Sequence, residues 1–164
     1  MDSVMQEFSA AETADLTQFA RQQGLTLNAL FQATWAVLLA RYTNETDVTF
    51  GMITSGRTAL VPQIESIIGL FINTLPFRVD LEANPTAADL LQQVAQTQFE
   101  LQQREHTSLV TAQRWSGIPA GTNLFQTLLL FQNTPQTADE ASDQGGLQLT
   151  RSRWVEPGGT AIRL

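Results

Sequence analysis

Residues Ile67 to Val79 read "IIGLFINTLPFRV". A run of β-branched, aliphatic and aromatic residues of this length reads as a strand, and the reading places it from Leu70 to Leu81. Two residues disturb it. Asn73 sets a polar amide between apolar neighbours, and Pro76 cannot donate to a ladder. On residue type alone, Asn73 sits on a solvent face or is satisfied by neighbouring backbone. A sharper reading turns the strand's centre toward something other than a core.

Upstream, "DVTFGMITSGR" alternates Val48, Phe50, Met52 and Thr54 with Thr49, Gly51, Ile53 and Ser55, so a strand fits there. Gly51 within it marks a bulge or a close backbone approach. "SGRTALVP" is a loop, and Arg57 within it reads as a surface charge. Further back, Ser9 and Glu12 form a capping-box pair that opens a helix from Ala10 to Gln23, with Leu16, Phe19 and Ala20 facing inward. Gly24 would stop that helix. A second helix starts after Thr26, with Leu27, Leu30, Phe31, Trp35, Leu38 and Tyr42 at helical spacing. It is apolar around most of its circumference, which predicts cover on more than one side.

Downstream, Thr86 and Asp89 open a third helix as a second capping box. "SLVTAQRW" reads as a short fourth helix, and "NLFQTLLLFQN" as a strongly apolar, central strand. "LQLTRSRWV" and "TAIRL" read as two more strands. The acidic, small-residue segment 134–146 reads as a mobile loop. The order α, α, β, β, α, α, β, β, β is not a βαβ alternation. It predicts an α/β fold of the α+β type, a mixed sheet with helices packed on it. The chain reads as a single lobe, 1–164. Because "TAIRL" stops inside a strand pattern, that lobe is expected to be a piece of a longer protein.

Composition narrows the function. The 164 residues suit one domain or lobe, and 43% hydrophobic content supplies a core. The net charge is -7 and every basic residue is Arg, with no basic stripe, so nucleic acid is not an expected partner. No Cys is present, which removes disulfides, thiolate metal sites and Cys nucleophiles. No apolar run reaches membrane-spanning length, and the acidic N-terminus does not resemble a signal peptide. A soluble, cytoplasmic protein without a metal site is the expectation.

His106 is the one His. It follows the third helix, where it reads as solvated or capping; Glu105 beside it is weak support for catalysis. No phosphate-binding glycine motif and no nucleophile elbow occurs. Local motifs alone do not make this a self-sufficient enzyme.

The pattern as a whole is more specific. "SGR" at Ser55, Gly56 and Arg57, then "ES" at Glu65 and Ser66, then "IIGLFINTLPFRV" resemble the condensation domains of nonribosomal peptide synthetases. The motif positions are Ser55, Gly56, Gly69, Phe71, Asn73, Thr74, Pro76 and Arg78. "REHTSLVTAQRWSG" and "NLFQTLLLFQNTP" resemble the segments that follow in that family, and the resemblance runs from about Phe8 to Pro135. It implies a lobe similar to chloramphenicol acetyltransferase, here part of the C-terminal one. It places the family's catalytic His-His-x-x-x-Asp-Gly motif in an N-terminal lobe that this chain lacks, so no catalytic residue is expected here.

The resemblance implies amide formation between donor and acceptor thioesters, both carried on phosphopantetheine arms of peptidyl carrier proteins, with no cofactor bound directly. Asn73 would face the tunnel between lobes, and Arg57 would pair with the aspartate of the absent motif. Pro76 and Arg78 would lie where the strand leaves the chamber. Three consequences are expected of the chain by itself. Asn73→Ala changes stability by less than about 1 kcal/mol, as at a surface site, and Arg57 is solvated, so Arg57→Ala is near neutral. An apolar surface left by the missing strands predicts self-association. The competing reading is a non-catalytic module of the same fold that docks carrier proteins; a coenzyme A-dependent acyltransferase is a third.

Overall fold

The computed structural model describes residues 4–57, 62–119 and 121–132, together with the backbone of 161–163. The segment 134–146 and "LQLTRSRWV" lie outside them. The chain divides into two compact units, Thr17–Phe131 and Met1–Leu16 with Gln132–Leu164.

In the smaller unit, β1 (Met5–Glu7) runs parallel to β5 (Ala161–Arg163), with Met5 opposite Ala161. The strand at β1 is an addition to the sequence reading. Helix α1 (Ala10–Gln22) begins here and ends in the larger unit. Its capping box forms as expected: Glu12 N–H donates to Ser9 Oγ at 3.2 Å, and Ser9 N–H donates to the Glu12 carboxylate at 2.8 Å. These bonds hold the Glu12 carboxyl below its ordinary value.

The larger unit is built on β2 (Asp47–Thr54), flanked by antiparallel β3 (Asn73–Asp80) and by β4 (Leu128–Leu129), which is parallel to it. The sheet is mixed, as the element order implies. Helices α2 (Leu27–Thr43) and α3 (Ala87–Gln102) carry the residues that pack on it, and α4 (Leu109–Trp115) follows. The Thr86–Asp89 capping box opens α3. Thr26 caps α2 by accepting the Ala29 N–H at 3.1 Å.

The period of two along β3 puts Leu75, Phe77 and Val79 on the buried face. Register sets Phe50 opposite Phe77, and their rings stack with centroids 5.1 Å apart. Val48, Met52, Leu90 and Val94 complete the centre of the core.

Four expectations change. The strand begins at Asn73, not Leu70, because the ladder with β2 ends at the Thr54–Asn73 pair. The buried face of α2 is Ala29, Gln32, Ala33 and Ala36, whereas Leu38 and Tyr42 are exposed. Small side chains let the helix backbone come close to the sheet, and the large ones are left around the rim. On α1, Ala20 is buried and Phe19 is exposed. The apolar segment expected to be central is instead a two-residue strand with Leu128 exposed, and among the described residues it lies at the edge of the sheet; β2 holds the centre.

Gly51 explains how β4 docks. A Cβ there would overlap Leu128 and sit 2.6 Å from Phe125. Its N–H donates to Thr127 O at 2.8 Å, on the β4 side. The Gly51–Pro76 pair is therefore a non-hydrogen-bonded one, and the donor that Pro76 lacks falls on the side of β3 away from β2.

Candidate functional site

The C-terminal end of β2, the start of β3 and the α3–α4 connection meet at one end of the sheet. Register places Thr54 opposite Asn73. The alternation of β3 continues to Asn73, so it shares the face of Leu75 and closes the end of the core.

Its amide is fully engaged there. Asn73 Nδ2 donates to Glu105 O at 2.7 Å and to Thr107 O at 2.8 Å, and Oδ1 accepts the Thr74 N–H at 2.9 Å. The group expected to look into a wet chamber grips main chain, the blander of the two sequence readings. The α3–α4 connection after Gln102 cannot satisfy its own last carbonyls, and the amide supplies what it lacks.

Arg57 departs further from expectation. It is half-buried rather than solvated. Nη1 donates to Ile64 O at 2.9 Å and Ile67 O at 3.3 Å, and the guanidinium lies 4.7 Å from the Phe71 ring centroid. Arg57 thus ties down the 3-10 turn Ile64–Ser66 and the segment beyond it. Gly56 is required at the turn. Its φ is +64°, and a Cβ would overlap the Phe71 carbonyl oxygen. Ser55 Oγ accepts the Arg57 N–H at 3.4 Å.

The first half of the quoted stretch is irregular and presents Ile68, Leu70 and Ile72 to solvent. Gly69 lies in this half. Arg78 stands at the far end of β3. Its Nε and Nη2 make a bidentate pair with Asp47 at 2.8 and 2.7 Å. This hydrogen bonding lowers the Asp47 carboxyl below its ordinary value and raises Arg78. The structure therefore brings Ser55, Gly56, Arg57, Phe71, Asn73 and Thr74 together at one end, and leaves Arg78 at the other.

Glu105, which in the sequence gave only weak support for a catalytic His106, has a structural place that sequence reasoning missed. It is 3% exposed, and its Oε2 accepts from Thr54 Oγ1 at 3.0 Å. The available signal was an acid in the turn beside the lone His. His106 itself is 63% exposed at its side chain, with Nε2 3.9 Å from Glu105 Oε1. That places it at the surface, as its position past a helix end suggests.

The family profile described as Condensation domain matches residues 1–155. The chain is 43% identical over 144 residues to one component of the linear gramicidin synthase of Brevibacillus parabrevis, covering 88% of this chain and 2% of that protein. It is 41% identical over 152 residues to the chondramide synthase of Chondromyces crocatus, covering 92% and 4%. A four-domain nonribosomal peptide synthetase solved in its holo form with AMP and glycine matches with a TM-score of 0.69 at 20% identity, over 78% of this chain and 10% of that one. The chain thus spans a small part of each, and the last likeness concerns fold alone. Taken with the profile match over nearly its whole length, they establish that this chain belongs to the condensation domain family of the nonribosomal peptide synthetases.

Proposed function

We propose that the chain is part of a single lobe, the C-terminal one, of a condensation domain that forms amide bonds between thioesters held on carrier proteins. The observation that supports it best is the convergence of Arg57 and Asn73, two motif residues 16 positions apart, on one end of the β2–β3 pair. In the reaction, the acceptor's amine nitrogen attacks the donor's thioester carbonyl. The N–C bond forms, the C–S bond breaks, and the thiol of the donor's phosphopantetheine arm leaves with the amine's proton. The family's His-His-x-x-x-Asp-Gly motif would come from the N-terminal lobe, so this chain contributes walls and supports and has no activity alone. Holding both substrates at one point supplies up to about 7–11 kcal/mol of the barrier.

Arg57 has a double part in this reading. Nη1 serves the loop carbonyls, and among the described residues Nε and Nη2 have no partner. Those two donors suit the aspartate of the partner lobe's motif. Ile68, Leu70 and Ile72 offer an apolar surface on the same segment for that lobe to cover. Uncovered, the same surface favours self-association of the isolated chain. Among the described residues no helix is long and apolar enough to cross a membrane. We place the parent protein in the cytoplasm with its donor and acceptor carriers.

The test is amide formation by the complete condensation domain with two loaded carriers, beside the 164-residue chain. Product from the former and none from the latter is expected. A complete domain that binds carriers and forms no amide would make this a docking module instead.

A further inference from the structure

Glu105 contacts both polar branches of the site, one through its side chain and the other through its main chain. Its carboxyl oxygen Oε2 accepts the hydrogen bond that Thr54 Oγ1 donates, at 3.0 Å. With its proton so directed, the Thr54 oxygen is free to accept the Gly56 N–H, at 3.2 Å. Gly56 is the left-handed residue of the turn that delivers Arg57. The Glu105 main-chain oxygen, meanwhile, accepts from Asn73 at 2.7 Å. One residue therefore fixes the Arg57 turn through its side chain and Asn73 through its backbone.

Stability alone does not call for an acid here. At 3% exposure, Glu105 Oε1 has no hydrogen-bond partner among the described residues, and His106 at 3.9 Å is outside bonding range. A buried carboxyl with one hydrogen bond is a costly way to fill the space. What it does provide is direction, since an acceptor at that point leaves the Thr54 hydroxyl one useful orientation.

We propose that Glu105 is a positioning residue of the condensation site. It acts through Thr54 and Gly56 on Arg57, and by its carbonyl on Asn73, so that both groups are held from a common anchor. The proposal rests on the reading that Arg57 and Asn73 serve the reaction.

Thr54→Val and Glu105→Ala test it in the complete condensation domain with loaded carriers. Thr54→Val keeps shape and removes the relay, which covers the case in which Glu105→Ala does not fold. We expect kcat to fall about tenfold to a hundredfold in both, the scale of a displaced supporting group, with KM for the carriers unchanged. Thr54→Ser and Glu105→Gln, which keep the bonds, restore most of the turnover. In an Arg57→Ala background, Thr54→Val causes no further loss. Losses that multiply with Arg57→Ala, or that appear in KM alone, overturn the proposal.

A second readout separates this outcome from failure of the functional reading. In the 164-residue chain, the Arg57 Nε–H resonance should shift in Thr54→Val and stay in place in Thr54→Ser. An Arg57 signal indifferent to Thr54→Val refutes the relay whether or not the complete domain makes amides.

Discussion

Truncating Asn73 tests the site's geometry most directly. Asn73→Ala removes two donors from the carbonyls of Glu105 and Thr107 and one acceptor from the Thr74 N–H. A hydrogen bond contributes about 0.5–1.5 kcal/mol net, so three amount to roughly 1.5–4.5. The site is part-buried, and water can reach some of the freed groups. The expected loss is therefore about 1.5–3 kcal/mol, larger than a surface amide would give. Asn73→Asp is the sharper probe. It keeps the bond from Thr74 N–H but sets a second carboxylate oxygen against two carbonyls, so it should lose more than the alanine does at neutral pH. Urea unfolding at constant m-value measures both changes. If Asn73→Ala stays within about 0.5 kcal/mol of wild type and Asn73→Asp is no worse, the amide does not hold the α3–α4 connection.

Gly51→Ala should destabilise by about 1–3 kcal/mol, since its Cβ overlaps Leu128 and Phe125, with the loss visible as faster amide exchange in β4. Gln32 is fully buried, with Oε1 unpartnered among the described residues and its amide nitrogen 3.1 Å from Met52 Sδ, so Gln32→Met should stabilise by about 1 kcal/mol in thermal unfolding. For Asp47 the folded carboxyl titrates below its ordinary 3.8, so its contribution is complete above that value and fades as pH falls below it. Being half exposed, the Asp47–Arg78 pair contributes at most about 1 kcal/mol; Asp47→Asn should flatten the acid limb by that much at low salt and by less at high salt.

Local chemistry was legible in the sequence, and long-range partnership was not. The capping boxes at Ser9–Glu12 and Thr86–Asp89 form as read because each is closed within four residues. The strand at Met5–Glu7 gave no signal, as three exposed residues carry no pattern and their partner is Ala161–Arg163. Helix α2 is apolar around most of its circumference, so periodicity could not choose a face, and close approach to the sheet selected the alanines over Leu38 and Tyr42. The family resemblance singled out Arg57 and Asn73 as polar residues with a task. What each one grips was beyond it, because Ile64, Ile67, Glu105 and Thr107 all take part through main-chain oxygens.

That choice of atoms bears on what the chain tolerates when it is cut and rejoined with others. Asn73 reads the path of residues 105–107 and none of their side chains. Position 106 can therefore be exchanged freely as far as this latch is concerned. Length is another matter, since one residue inserted between Glu105 and Thr107 would carry one of the two carbonyls out of reach. A graft that respects residue count and ignores residue identity should keep the latch. One that matches identities but shifts the count should open the end of the core.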